Sequence, residues 1–502
     1  MNGPRAGAVT AAPAPPDLDP RRWAALLFIA VAQLMVVVDT TVVNIAIPST
    51  QADLGMADGD RQWIIAAYTL AFGGLLLLGG RVTDLLGRRR AFLIGLTGFA
   101  VASALGGAAT GSAMLITARA LQGVFGALLS PAALAMVTVM FTEPKERGKA
   151  FGIYNAVAGS GLAAGLILGG VLTQFLNWRW AFYISIPFAA VAAVGAVAVV
   201  REPALSRRAG RLDLPGAALV GVGLVGTVLA FATAESDGWA SGRTLGLAGA
   251  AAVLLAAFTV VERRGRAPLL PPRLVGERNR AGVYLALGLS VLTMFGLFLF
   301  MTYYLQTVKG YSPVVAGLGF LPMVAGMVVG STQLGGRLLA HVPPRVLISG
   351  GFVIAAGGML LLTRLRVDSA YTAVLLPAGV LIGLGLGSAF VPAMSVATLD
   401  VEPRDTGVAS AMVNAVQEVG GSIGTVLLNG IAAAATATYL GTHTAASTDP
   451  SEALRLEAMV HGFAVATWWA IGILVLAALL AVILITARPG RAGHGGPASG
   501  KA

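Results

Sequence analysis

The sequence predicts an all-α integral membrane protein. It has fourteen transmembrane helices, arranged as two pseudo-symmetric six-helix bundles plus two extra central helices. Three observations predict it. Only 11% of the 502 residues are charged and 56% are apolar, where soluble domains carry about 25% charged residues. The mean hydropathy is +0.81. Apolar stretches near the ~20 residues needed to cross a hydrocarbon core follow one another along the chain, and short motifs recur in its second half at a nearly constant offset. Sixty-six glycines without a fixed period exclude collagen, and the apolar excess excludes disorder. With no cysteine there are no disulfides, thiolate metal sites or thiol catalysis.

The spans run roughly over 24–47, 61–80, 91–111, 113–137, 149–173, 180–200, 214–233, 243–261, 281–303, 313–335, 345–363, 371–392, 406–432 and 462–486. Residues 1–23 read as a disordered cytoplasmic tail, because Arg21 and Arg22 lead straight into a full-length span rather than a cleaved signal. The first bundle is expected over 24–200, a linker with two extra helices over 201–280, the second bundle over 281–486 and a cytoplasmic tail over 487–502. With the N-terminus inside, cytoplasmic segments hold 26 of the 34 Lys and Arg, outer loops hold 7, and Arg119 falls inside a span. That asymmetry puts both termini in the cytoplasm of a multi-pass protein of the cell membrane. It also accounts for the net charge of +11 through contact with membrane lipid rather than nucleic acid.

Gly79-Gly80-Arg81-Val82-Thr83-Asp84 returns in weakened form as Gly335-Gly336-Arg337-Leu338-Leu339-Ala340, 256 residues later. Tyr154-Asn155-Ala156-Val157 returns as Val413-Asn414-Ala415-Val416 at an offset of 259, which also sets Gly165 on Gly424. Two homologous, parallel halves with a site between them suit an alternating-access transporter.

Four segments carry a more specific signal. The loop after the second span reads Gly80-Arg81-Val82-Thr83-Asp84-Leu85-Leu86-Gly87-Arg88-Arg89-Arg90. The first span ends Val38-Asp39-Thr40-Thr41-Val42-Val43-Asn44-Ile45-Ala46-Ile47-Pro48. The fourth contains Arg119-Ala120-Leu121-Gln122-Gly123, and the fifth Gly161-Leu162-Ala163-Ala164-Gly165-Leu166-Ile167-Leu168-Gly169-Gly170. Together they resemble the major facilitator superfamily and, within it, the fourteen-helix drug:proton antiporter branch of multidrug efflux type. The resemblance implies that the loop bearing Gly80, Asp84, Gly87, Arg88 and Arg89 gates against the second half. In the second copy Asp84 becomes Ala340 and Gly87 becomes Pro343, so only the first copy is expected to gate. The stripe Gly161, Gly165, Gly169 and Gly170 gives a flat face for close helix contact, although Leu166 stands where the branch has proline and Ser185 where asparagine is common.

Elementary energetics single out the charges. An acid inside a span costs about 2.5–3.5 kcal/mol on insertion scales and is by default a functional candidate. Asp39 lies eight residues from the end of its span, about 12 Å of helix, too deep for a short side chain to reach water. Arg119 lies at nearly the same depth, with Gln122 at i+3 on the same face. A guanidinium beside a protonatable carboxylate can hold it ionised and release a proton on rearrangement; a static ion pair is the alternative. Glu418, mid-way along the thirteenth span and on one face with Asn414 and Gln417, is a second proton carrier or a counter-ion for cargo. The polar candidates for a substrate cavity are Asn44, Gln122, Asn155, Asn414 and Gln417. Phe295 and Phe298 of an aromatic, Met-containing ninth span join them, because such a lining suits hydrophobic cations. Tyr303, Tyr304 and Gln306 sit near the outer interface, where tyrosines collect.

Gly420-Gly421-Ser422-Ile423-Gly424 fits a hydrolase pattern, but it lies in an apolar span where the strand–turn–helix it needs is missing. The histidines have no ligand spacing, and no phosphate-binding loop is present. The reading is therefore a non-enzymatic, cofactor-free exporter in which inward proton flow drives a small amphiphilic or cationic molecule out. A proton symporter for a nutrient, and a non-transporting receptor or lipid-handling protein, stay open at this point.

Overall fold

A computed structural model describes residues 21–57, 59–141, 143–199, 213–265, 270, 275–399, 401, 406–443 and 450–487. The tails over 1–20 and 488–502 lie outside the described residues, as do 201–212 of the expected linker and the side chains of Asp84 and Asn155. The described residues are helical, without strands. In chain order the helices are α1 (Arg22–Leu54), α2 (Trp63–Leu86), α3 (Arg88–Gly107), α4 (Ser112–Met140), α5 (Pro144–Phe175), α6 (Trp180–Val199) and α7 (Leu214–Asp237). Then follow α8 (Gly242–Arg264), α9 (Arg278–Val308), α10 (Pro313–Gly336), α11 (Pro344–Leu362), α12 (Tyr371–Ala397), α13 (Thr406–His443) and α14 (Glu452–Leu484). Thirteen of these are long and apolar enough to cross a membrane. The other, α2, has 24 residues, with a described apolar stretch over Trp63–Leu76.

Local chemistry fixes the helix ends. Gly87 alone joins α2 to α3, at φ 91°, a left-handed backbone that a side chain would strain. Gly55, at φ 59°, closes α1 by donating its N–H to the Gln51 carbonyl. Asp213, Ser241, Glu277, Ser312 and Ser451 cap the N-termini of α7, α8, α9, α10 and α14 with side-chain oxygens. Without an internal proline, α5 runs unbroken for 32 residues.

The helices pack as two sets. In the first, α1 packs on α5 and α6, α4 on α2 and α3, and α3 on α6. In the second, α9 packs on α13 and α14, α12 on α10 and α11, and α11 on α14. Each of these pairings of the first set recurs eight helices later. The glycines follow the same rule. Gly161 and Gly165 of α5 face Val37 and Thr41 of α1, and Gly420 and Gly424 of α13 face Gly288 and Leu292 of α9. Gly79 faces Ala127 of α4, and Gly335 faces Ser388 of α12. The pattern Gly420-x-Ser422-x-Gly424 is thus a helix-packing surface.

The helices α7 and α8 form a hairpin attached through α7, which packs on α2 and α13. Much of α8 is exposed and apolar, with Leu245, Val253 and Val260 outward.

The two sets meet mainly along α2–α13 and α5–α10. The named contacts between them lie from mid-helix to the end where α1 stops and α2 starts, called here the far end. Gly73 faces Glu418, Ser422 Oγ donates to the Ala66 carbonyl, and Arg61 meets Asn429. On the other seam Gly170 faces Val314, and Gly317 faces Leu166.

Candidate functional site

Five helices of the first set converge on one carboxylate. Asp39 of α1 and Arg119 of α4 are 0% and 1% exposed. Arg119 Nη1 donates to Asp39 Oδ2 at 2.7 Å and to Gln122 Oε1 at 2.9 Å. Gln122 Nε2 donates to Asp39 Oδ1 at 2.9 Å and to Ser103 Oγ of α3 at 2.8 Å. Ser185 Oγ of α6 donates to Asp39 Oδ1 at 3.2 Å. On the side of α2, Arg119 Nε donates to the Ile64 carbonyl at 2.8 Å, and its guanidinium carbon lies 4.4 Å from the centre of the Tyr68 ring.

The sequence builds this cluster economically. Arg119 and Gln122 stand one turn apart on α4, so both reach Asp39 from one face. Ile64 and Tyr68 stand one turn apart on α2 and receive the guanidinium from the other side. Every acceptor oxygen of Asp39 is satisfied, which a buried charge requires. The resting pair is therefore dry and balanced, and moving a proton onto Asp39 requires the network to rearrange. Ser185, noted in the sequence only as a departure from asparagine, proves to be a direct partner of the carboxylate.

The glycine stripe sets how close α1 can come. Gly165 faces Thr41 and the Val38 carbonyl, and Gly169 faces Val42. Gly161, Gly165 and Gly169 therefore clamp α1 around Asp39, whereas Gly170 turns to α10 of the other set.

A second carboxylate lies on the second set, at the seam where α13 meets Gly73 of α2. Glu418 and Gln417 of α13 line a cavity of about 190 Å³ with Ser290, Met294 and Phe295 of α9, Met327 of α10, Phe352 of α11 and Phe390 of α12. Glu418 is the only ionisable group in that lining. Among the described residues its Oε2 has no hydrogen-bond partner. Glu418 also lies within electrostatic reach of Arg119 and Tyr68 in the first set.

The other expected cavity residues are placed differently. Gln122 is enclosed by Asp39, Arg119 and Ser103 rather than set in the cavity wall. Phe298 stacks on Phe320 with ring centres 5.0 Å apart and is buried in the second set. Asn414 is exposed, outside the cavity lining. Asn44 is buried on α1 with its Oδ1 unpaired. Helical phase gave the face each residue occupies but not what that face meets.

The expected gating loop is instead almost wholly helical, with Gly87 as its one non-helical residue. Gly80 lies inside α2 in contact range of Pro131 of α4, while Arg88, half-buried, and Arg89, which donates to the Val197 carbonyl of α6 at 2.8 Å, open α3. The far end holds Arg61, at the start of the expected second span, and the residues Tyr303, Tyr304 and Gln306 that the sequence placed near the outer interface. Arg61 is 6% exposed, and Tyr303 and Tyr304 are buried. Gln306 Nε2 donates to the Ile45 carbonyl at 2.9 Å.

Relatives at the level of sequence are similar along 80% to 96% of the chain. The puromycin resistance protein pur8 of Streptomyces alboniger is 52% identical over 483 residues, 96% of this chain and 95% of that protein. The cephamycin export protein CmcT of Amycolatopsis lactamdurans is 41% identical, over 80% of this chain and 84% of that one. The tetracenomycin C resistance and export protein of Streptomyces glaucescens is 34% identical, over 81% and 75%. Among solved structures, a bacterial homologue of the human lysosomal transporter Spinster, inward-facing and unoccupied, superposes with a TM-score of 0.67. It is 18% identical and covers 93% of this chain and 97% of that one, a likeness of fold alone. Residues 29–425 match the Major Facilitator Superfamily, the family resembled by the loop, first-helix and fourth-helix motifs. The chain belongs to the Major Facilitator Superfamily.

Proposed function

We propose that this protein is a proton-coupled secondary exporter of small amphiphilic or cationic compounds, antibiotics among them, working by alternating access. The names of the relatives, which speak of resistance to or export of puromycin, cephamycin and tetracenomycin C, support the cargo class and the direction. The observation that carries the mechanism is the pairing of a dry, fully bonded Asp39–Arg119 cluster in one helix set with a Met- and Phe-lined cavity in the other, whose one carboxylate lacks a hydrogen-bond partner at Oε2.

In this reading all fourteen helices span, α2 included. The sets α1–α6 and α9–α14 are the two pseudo-symmetric bundles, and α7–α8 is an insertion between them. The repeated helix pairings support that division. Positive charge in the loops puts both termini in the cytoplasm, so the far end is the outer end. The contacts there describe a state sealed to the outside, ready to load from within.

Cargo enters the cavity beside Glu418, where a cation offsets the carboxylate and aromatic faces hold its apolar parts. The halves then rock open to the outside. A proton reaching Asp39 weakens its hold on Arg119, and return to the sealed state restores the network and expels the proton inward. By family likeness Gly80, Asp84, Gly87, Arg88 and Arg89 seal the cytoplasmic side during the open phase.

The test is accumulation of a panel of fluorescent dyes and labelled antibiotics in cells that express the protein. Export lowers accumulation, and an uncoupler of the proton gradient abolishes the effect. Raised accumulation would mean uptake instead, and unchanged accumulation across the panel would mean that the protein does not transport such compounds.

A further inference from the structure

The residues so far given work in the transport cycle are at mid-membrane or at the cytoplasmic end, yet the far end carries a polar joint that bridges both helix sets. Arg61, at the entrance to α2, is buried there. Its Nε and Nη2 both donate to Asn429 Oδ1 of α13, at 3.3 and 3.1 Å. Its guanidinium carbon lies 4.2 Å from the centre of the Tyr303 ring of α9. The Tyr303 hydroxyl in turn donates to Gln51 Oε1 of α1. One arginine thus ties α2 to α13 and α9, and through Tyr303 to α1.

The detail that matters is Asn429. It is fully buried, and among the described residues its Nδ2 has no hydrogen-bond partner. The guanidinium offers a planar fork of donors, which a carboxylate would meet with two oxygens. Asparagine meets it with one oxygen and leaves an idle donor beside a cation. The joint therefore holds, but more weakly than the same geometry would allow. A residue that must separate from its partner once in every cycle gains from such a compromise, because a forked buried ion pair would make the sealed state too deep to leave.

We propose that Arg61 is the positioning residue of the outer seal: its contact with Asn429 and Tyr303 sets how readily the two helix sets part at the far end, and asparagine at 429 keeps that contact weak enough to cycle. The consequence for turnover rests on the export reading above, but the joint itself does not.

The chain has no cysteine, so single cysteines report opening without background. Val426→Cys sits where α13 packs on Ala66 and Leu70 of α2. Thr173→Cys is a buried site on α5, beside the residues that face α10 on the other seam. The exposed Thr442→Cys serves as the reference for reagent reactivity. Labelling of the purified protein by a polar maleimide needs neither cargo nor a gradient, so its outcome is independent of whether export is observed.

Arg61→Ala removes charge-assisted bonds and is expected to raise labelling about tenfold at both reporters, with Arg61→Lys in between. Asn429→Asp supplies the second acceptor and is expected to slow labelling below the parent at both reporters, an effect that general damage to the fold cannot imitate. The slowing should vanish when Arg61→Ala is combined with it. The proposal is overturned if Asn429→Asp speeds labelling, if its slowing survives loss of Arg61, or if Arg61→Ala affects Val426→Cys alone, which would mean local fraying rather than parting of the halves. Should Arg61→Ala fail to fold, the Asn429→Asp result decides.

Discussion

Asp39 and Glu418 are both acids in the membrane-spanning part of the chain, and their surroundings assign them different work. Asp39 accepts bonds from Arg119, Gln122 and Ser185 and is shut away from solvent. Such a group is suited to a two-state change, since a proton placed on either oxygen must displace a donor already bonded there. Glu418 stands in the wall of an apolar cavity with one oxygen unbonded. It is suited to meet whatever occupies that cavity. Glu418→Gln keeps the shape and removes the charge. It should weaken binding of a cationic cargo at least about tenfold, roughly 1.4 kcal/mol, and change binding of a neutral analogue little. Equilibrium binding of a matched cationic and neutral pair checks this; equal losses for both would remove the counter-ion role. The two acids and Arg119 were legible in the sequence because a charge inside a span is costly and therefore rarely idle. Arg61 was not legible, because it borders a loop and its partner Asn429 is 368 residues away.

At the scale of single helices, close approach decides the architecture. The backbone of α5 lies so near α1 that a Cβ at Gly165 would run into Thr41 and the Val38 carbonyl. Gly152, on the same helix, has open space around it. Gly165→Val should therefore lower the melting temperature of the purified protein markedly, by the about 1–3 kcal/mol typical of overpacking, while Gly152→Val costs little. Equal effects would show that α1 and α5 do not depend on that contact. The glycine stripe could be read from spacing alone, and so could the match of Gly165 to Gly424. What spacing could not supply is the partner helix. Gly169 faces α1 whereas Gly170, its neighbour, faces α10 across the seam. The same limit explains the aromatic positions: Phe295 and Phe298 lie one turn apart on α9, but the first lines the cavity and the second stacks on Phe320.

For the molecule as a whole, the repeat at offsets of 256 and 259 carried more information than any single motif. It led to the expectation of two homologous, parallel halves but named no helix pairs; the packing of α1–α5, α2–α4 and α3–α6, alongside α9–α13, α10–α12 and α11–α14, came from the structure. It could not tell where the two sets would touch, because that depends on contacts between the halves rather than within them. In the proposed alternating-access cycle those contacts are tied to the buried network, since α2 receives Arg119 at Ile64 and Tyr68 and meets α13 at Ala66 and Gly73. A shift of α2 against α13 therefore disturbs the bed on which the Asp39–Arg119 pair rests, and the pair in turn influences whether that shift occurs. The measurement that tests this most directly is cargo transport by purified protein in liposomes with an imposed pH gradient, comparing the parent with Asp39→Asn. The account predicts that Asp39→Asn abolishes gradient-driven export while equilibrium binding of cargo stays within about tenfold. Continued exchange of protons for cargo by Asp39→Asn, with that exchange lost in Glu418→Gln, would contradict it and place proton coupling in the second half.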